Sequence, residues 1–389
     1  MRFTAAALAT AFTFATLNTG AAVASNQGIS ETEIRFAQVA ALEGPASALG
    51  LGMQSGISAA FEEANRNGGV HGRKLSLSSF DDGYEPDRSV TQVRSIIEEN
   101  AYLGLIGPVG TPTTKATQPV ASQAAFPFIG PFTGAGFLRD ASHGNIFNVR
   151  ATYAAETEAW IKYLVDEQGM KDIAILYQDD GFGRVGLAGV TAALEKRGMG
   201  LVAQGTYTRN TTAVKTALLT IRKAKPDAVV MVGAYKPIAE FIRLSRKLKF
   251  DPAFVNISFV GSKALAQELG PLGDGVIISQ VVPFPWDASL PIVAEYQAAM
   301  SAVDPAFEPG FVTLEGYLVG RLAIEALQQA GKDLTRESYL NALAGLNELD
   351  LGGAQMQFGS DDNQGMDRVF MTRINPDGGF SPIDTQDGS

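Results

Sequence analysis

Two turns in the first third of the chain carry residues suited to holding a small anion. The first reads Gly107-Pro-Val-Gly-Thr-Pro-Thr-Thr114 and links an apolar strand to a helix. Pro112 suits the first helical position, which makes Thr111 the N-cap. First-turn amides have no partner inside their own helix, and the helix dipole adds partial positive charge there. A ligand carboxylate beside Thr111 would accept hydrogen bonds from those amides and from the hydroxyl. Bonds of that kind contribute about 1.5–3 kcal/mol each. On spacing alone, Thr111 serves equally well as a plain cap. The second turn, Pro131-Phe132-Thr133-Gly134, follows a short strand in the same way. Both turns fall at the carboxyl ends of strands, where open α/β sheets hold ligands.

Other chemistry is scarce. The chain of 389 residues has no cysteine and two histidines, His71 and His143. Disulfides, thiolate nucleophiles and Cys-type metal sites are therefore excluded. Both histidines sit beside glycines and read as loop residues. There is no G-x-S-x-G, H-E-x-x-H, G-x-x-x-x-G-K-[ST] or G-x-G-x-x-G following a strand. Gly181-Phe-Gly183-Arg-Val-Gly186 departs from the dinucleotide fingerprint in spacing. Asp81-Asp82-Gly83 and Asp361-Asp362-Asn363 lack the twelve-residue spacing and closing glutamate of a calcium loop, and read as solvated turns. No metal, cofactor or catalytic set is predicted, so the pattern is that of a binder, not an enzyme. The net charge of −10 argues against nucleic acid or an anionic membrane as partner.

The elements that must position these turns alternate along the chain. Apolar strands are predicted at Ile34–Leu42, Leu75–Phe80, Leu103–Ile106 and Pro127–Gly130. Helices lie between them at Ala48–Asn67, Asp87–Glu99 and Pro112–Ala125. Ile146–Thr152 is neither a long helix nor a clean core strand and marks a break. The rhythm then restarts with a helix over Thr152–Glu167 and strands at Ile173–Tyr177, Leu201–Tyr207, Ala228–Val232 and Phe254–Ile257. Helices at Phe182–Arg197, Ala213–Lys223 and Pro237–Leu248 separate them. Strand, helix, strand with short connections predicts parallel sheets covered on both faces, here in two lobes of similar build. After strand Val276–Val282, Pro283-Phe-Pro285-Trp286 breaks the pattern. Helices at Pro291–Met300, Phe311–Ala330 and Arg336–Ala344 follow, then short β pieces, the clearest at Arg368–Ile374.

The first residues read as an export leader. Arg2 precedes an apolar run from Phe3 to Leu17, and Ala22-Val23-Ala24 supplies the small residues of a cleavage site. Cleavage after Ala24 starts the mature chain at Ser25. With no cysteine, a lipid anchor is excluded. The expected product is a soluble protein outside the cytoplasmic membrane.

Several stretches together carry a resemblance. They include IRFAQVAALEGPASALG (34–50), LIGPVGTPTTKA (105–116), PFIGPFTGAGFLR (127–139), ILYQDDGFGRVGLAGV (175–190), PDAVVMVGAYKPIAEFIR (226–243) and GVIISQVVPFPW (275–286). In this order the chain resembles the leucine/isoleucine/valine-binding proteins of branched-chain amino acid ABC transporters. The resemblance implies a type I periplasmic-binding fold, α/β, with two doubly wound parallel-sheet lobes joined by three hinge crossings. By analogy the crossings lie near 148–152, 279–285 and 347–355. The implied lobes are 25–149 plus 282–348, and 150–281 plus 349–389, after a signal peptide at 1–24.

The implied site residues are six. Thr111 matches the hydroxyl residue that holds the ligand carboxylate, and Phe132 and Thr133 match the second carboxylate-side loop. Phe182 stands where many members have a tyrosine, and Tyr235 matches the tyrosine of the second lobe. Ser258 lies near the place where amino-acid-binding members often carry a glutamate for the ligand ammonium. A buried ammonium without that partner costs several kcal/mol. The ring faces of Tyr177 or Tyr235 offset about 2 kcal/mol, and Asp179, Asp180 and Glu315 are the other candidates. The implied ligand is a small carboxylate, a branched-chain or other apolar amino acid first, a non-amino aliphatic or aromatic acid second. Delivery would be to a membrane permease with separate ATPases, in the periplasm and without a cofactor. The same fold acting as a ligand-sensing receptor for a separate partner is the alternative.

Overall fold

The computed structural model describes residues 27–140 and 142–385. The expected leader, residues 1–24, lies outside them. Short apolar runs bounded by Gly, Pro or polar residues fold as strands, and the longer amphipathic runs between them fold as helices. The first half runs β1 (Glu33–Ala40), α1 (Ser47–Arg66), β2 (Lys74–Asp81), α2 (Pro86–Glu99), β3 (Leu105–Ile106), α3 (Thr111–Gln123), β4 (Phe128–Ile129) and β5 (Ile146–Phe147). These strands pair in parallel in the order β2-β1-β3-β4-β5. β1 and β2 run in register from Glu33 opposite Lys74 to Ala40 opposite Asp81.

The second half repeats the plan. It runs α4 (Tyr153–Ile161), β6 (Ile173–Gln178), α5 (Gly181–Glu195), β7 (Ala203–Tyr207), α6 (Lys215–Ala224), β8 (Ala228–Val232), α7 (Tyr235–Lys247), β9 (Ala253–Asn256), α8 (Ser262–Leu269) and β10 (Ile277–Gln280). Its sheet reads β10-β9-β8-β6-β7 across the parallel part, which is the first sheet's order again. Every residue of β8 is buried, as a strand covered on both faces must be. The two doubly wound lobes predicted from the alternation are therefore present.

The last third is shared between the lobes. It runs α9 (Pro291–Val303), α10 (Phe311–Ala330), α11 (Arg336–Ala344), β11 (Glu348–Asp350), β12 (Gln355–Gln357), β13 (Phe370–Ile374) and β14 (Phe380–Pro382). α10 returns to the first lobe and lies along α1 at backbone contact. A Cβ on Gly56 would stand 2.1 Å from the Thr313 carbonyl oxygen, and one on Gly316 would stand 2.5 Å from that of Met53. The tail instead joins the second lobe, where β13 pairs antiparallel with β10 and β14 with β13. The chain thus passes between lobes after β5, after β10 and after α11.

Four details differ from the sequence reading. Ile146–Phe147, expected to be irregular, is a strand paired with β4, but two residues are too few to show a period. The helix expected over Thr152–Glu167 is capped by the Thr152 hydroxyl, which accepts from the Ala155 amide at 3.1 Å, and relaxes into a π-helical turn at Lys162–Glu167. α7 begins at Tyr235, so Pro237 sits in its first turn, where a missing N–H leaves no bond unmade. Asp82, expected in a solvated turn, is fully buried and accepts from the Tyr84 amide at 2.8 Å and the Ser89 hydroxyl at 2.7 Å. Burial pushes its carboxyl up to about 6.

Candidate functional site

The six expected residues all follow the carboxyl ends of strands. Thr111 follows β3, Phe132 and Thr133 follow β4, Phe182 opens α5 after β6, Tyr235 opens α7 after β8, and Ser258 follows β9. In each lobe the strand order reverses between the first and third strands, which opens a crevice at this edge. The two crevices face each other.

Thr111 is not the cap of its helix. Gly110 takes that position with φ +108°, and a Cβ there would meet the Tyr84 ring at 2.3 Å. The threonines behind Thr111 turn back on the backbone: Thr114 donates to the Gly110 carbonyl at 2.7 Å and Thr117 to that of Thr113 at 2.9 Å. Thr111 instead meets the β4 turn: its Oγ1 lies 2.7 Å from Oγ1 of Thr133, with both residues fully buried. The Tyr153 hydroxyl approaches the same two threonines without a well-formed hydrogen bond of its own. Burial raises its pKa, and the nearby Arg150 charge and threonine hydroxyls oppose that rise.

Aromatic rings from both lobes close over this trio. Phe259, the neighbour of Ser258, stands 4.6 Å from Phe182 between ring centres. It also reaches across to Phe132 at 5.4 Å and Tyr84 at 5.9 Å in the first lobe. Tyr153 meets Phe182 at 5.5 Å. Phe132 and Phe182 are therefore brought together through Phe259, which the sequence reading did not name. Tyr235 is not in ring contact with this group. Its hydroxyl accepts from the Ala48 amide at 3.5 Å, across the crevice at the start of α1.

Charge enters the site through Arg150, Arg139 and Glu156, which the sequence analysis did not name, and through Glu315, which it did. Arg150 is buried and pairs with Glu315 through Nε–Oε1 and Nη2–Oε2, both at 2.8 Å. Burial alone would lower the Arg150 pKa, but the charge and hydrogen bonds of Glu315 more than offset that and hold it above the ordinary value. Its guanidinium carbon sits 4.1 Å from the centre of the Phe132 ring. Arg139 braces the Thr133 loop, donating to the carbonyls of Thr133 and Ala135 at 2.9 Å. Burial, with the charge of Arg150, pushes Arg139 down to about 9. Glu156 is buried beneath Ser258, accepting from the Ser258 amide and hydroxyl at 2.9 Å and from the Ser279 hydroxyl. Burial raises its pKa. The available signal was Arg150 itself, the one charge within Ile146–Tyr153.

The other carboxylates expected near an ammonium are otherwise engaged. Both oxygens of Glu315 serve Arg150. Asp179 pairs with Arg184 at 2.9 Å on the surface. Asp180 caps α5 through the Phe182 amide at 2.9 Å and accepts from Gln178 and from Arg209. Arg209 and Asn210 in turn reach over to the first lobe. Arg209 Nη2 is 2.8 Å from Glu85 Oε2, and Asn210 donates to Glu85 at 2.8 Å and to the Gly83 carbonyl at 3.0 Å. No group of three or more His, Cys, Asp or Glu suited to a metal ion occurs among the described residues. Nor is any helix among them long and apolar enough to cross a membrane.

Comparison with known proteins fits this geometry. The periplasmic binding protein family matches residues 33–379. The Leu/Ile/Val-binding protein of Escherichia coli (strain K12) is 22% identical over 286 residues, 73% of this chain and 77% of that protein. The crystal structure of a possible leucine/isoleucine/valine-binding protein from Rhodopirellula baltica SH 1 superposes with a TM-score of 0.86. It is 37% identical and covers 91% of this chain and 96% of its own. A substrate-binding periplasmic protein from Ralstonia solanacearum gives 0.85 at 26% identity, covering 90% and 100%. The chain belongs to the periplasmic binding protein family, which binds solutes and is not enzymatic; the resemblance read from the sequence is borne out.

Proposed function

We propose that this member of the periplasmic binding protein family is the solute-capturing component of an ABC transporter. It takes a small carboxylate with an apolar body between its lobes and delivers it to a membrane permease. The observation that carries this reading is the buried Thr111–Thr133 hydroxyl pair at the carboxyl ends of β3 and β4, roofed by rings from both lobes. In this reading Thr111, Thr133 and the Phe132 backbone hold the carboxylate on the first lobe. The second lobe then swings in about the crossings near 148–152, 279–285 and 347–355, bringing Phe182, Ser258 and Tyr235. The ligand shifts the population toward the closed form because it contacts both lobes only there. The lobes divide the chain as 25–149 plus 282–348 and 150–281 plus 349–389. Residues 1–24 direct export and are removed, so capture occurs in the periplasm with no lipid anchor.

The names of the relatives favour an apolar amino acid as ligand, whereas the polar inventory of the site favours an acid of another kind. The function itself is tested by a thermal-shift screen of small carboxylates, amines and neutral solutes. A rise in melting temperature confined to carboxylates is expected, and a response confined to amines or sugars overturns the reading. Deleting the gene should abolish uptake of the stabilising solute. Unchanged uptake with a lost transcriptional or chemotactic response assigns the protein to sensing instead.

A further inference from the structure

Every buried polar side chain needs a partner, so the groups left without one show what a ligand at the site must bring. Two such groups meet at the site. Arg150 spends its Nε and Nη2 on Glu315, and its buried Nη1, at the other corner of the guanidinium, has no partner. The buried Tyr153 hydroxyl lies near Thr111 and Thr133 but makes no well-formed hydrogen bond to either. The two residues sense each other's charge, and Tyr153 approaches Thr111 and Thr133 while Arg150 covers the Phe132 ring. Arg150 Nη1 can only donate, and the Tyr153 hydroxyl has a proton to donate beside it. Among the described residues, no buried carboxylate of the site is left over for a cation. Glu315 is bidentate on Arg150, and Glu156 already accepts from three donors.

From this imbalance we infer that the ligand is a monocarboxylic acid without an ammonium group, held by Tyr153 and Arg150 as well as by Thr111 and Thr133. The inference rests on the carboxylate reading above and deepens it. A carboxylate supplies acceptors to the Tyr153 hydroxyl and Arg150 Nη1. Charge-assisted bonds to a guanidinium are among the strong ones. An α-ammonium would enter beside the Arg150 charge with no free carboxylate to meet it. The body of the acid faces Phe132, Phe182 and Phe259, an apolar aromatic wall.

Matched pairs test this by titration calorimetry on the purified protein. The probes are leucine against 4-methylpentanoate, and phenylalanine against 3-phenylpropanoate. Each pair shares a carbon skeleton and differs only in the ammonium. At least one des-amino acid should bind, tenfold or more tighter than its amino acid. Tyr153→Phe, which keeps the ring packed on Phe182, should then weaken that acid at least tenfold with an unchanged melting temperature. Equal or tighter binding of the amino acid in a pair overturns the inference and leaves carboxylate capture standing. An unaffected Tyr153→Phe variant overturns the role of Tyr153. Binding of none of the four probes overturns both the inference and the carboxylate reading. The pair comparison uses the unaltered protein, so it stands even if the variant fails to fold.

Discussion

Thr111→Val keeps the shape of the side chain and removes one hydroxyl. Valine leaves Thr133 without its 2.7 Å partner and leaves a bound carboxylate one donor short. Ligand affinity should fall at least tenfold, about 1.4 kcal/mol, while the melting temperature of the free protein moves little. Calorimetry beside a thermal melt checks both, and unchanged affinity would return Thr111 to a structural role. Asp82 gives a prediction of another kind. Its folded pKa, about 6, lies above the ordinary carboxyl value of 3.8, so the native state holds the proton to higher pH. The stability it contributes is present below about pH 4 and is lost as pH rises through 6. Asp81 beside it has a lowered pKa and acts in the opposite sense, its contribution present above its usual range and lost toward acid. Asp82→Asn isolates the first effect. Between pH 4.5 and 7.5 the variant should gain about 2 kcal/mol on the wild type. Urea unfolding at the two pH values reads this directly, and a gap that does not change with pH removes Asp82 from the balance. At this scale the sequence offered two kinds of signal. Thr111, Phe132 and Thr133 stand in turns that spacing singled out, whereas Phe182, Tyr235 and Ser258 came only from the resemblance. Tyr153, Glu156 and Phe259 carry no such signal, because nothing in their local pattern distinguishes a crevice from a core; Arg150 was marked only as the lone charge of Ile146–Tyr153.

Elements were more legible than their uses. α10 and α11 lie where the sequence placed them, at Phe311–Ala330 and Arg336–Ala344; α10 buries a long apolar face, whereas α11 buries only Tyr339, Ala342 and Leu343. The two-residue strands β3, β4 and β5 are set by pairing across the sheet, not by local period, so β5 was invisible. The antiparallel addition of β13 to β10 is likewise a tertiary fact. Glycines mark where elements touch. Gly110 holds a left-handed φ under the Tyr84 ring, and Gly110→Ala should destabilise the fold and weaken binding together. Gly316→Val drives a branched side chain into the Met53 backbone, a clash that no rotamer relieves. Overpacking of this sort costs about 1–3 kcal/mol or more. The expected result is a lower melting temperature with affinity retained in the protein that remains folded. A normal melt would show that α1 and α10 can slide apart.

At the scale of the whole molecule the lobes are joined by contacts that do not involve the ligand. Arg209 and Asn210 on the second lobe grip Glu85 and the Gly83 carbonyl on the first. Partly exposed pairs of this kind are worth about 0.2–1 kcal/mol. Arg209→Ala should therefore weaken ligand binding by a few-fold at most, through faster release, with each lobe as stable as before. Glu85→Gln should do the same, and the two changes together should cost less than their sum. Stopped-flow release measured in low and high salt checks this, since screening should erase part of the wild-type advantage. Full additivity would show that the residues act apart. The two-lobed plan was legible from the doubled alternation, but the pairing of α1 with α10 was not, since no local pattern links residues so far apart. That pairing sets an order of assembly. A ribosome makes residues 47–66 long before residues 311–330, so the face of α1 that awaits α10 stays bare while the whole second lobe is synthesised. Closing so long a loop is entropically slow. The lobe begun first is thus completed late, and a nascent chain cut short before Phe311 would offer that uncovered glycine-lined stripe to any chaperone that meets it.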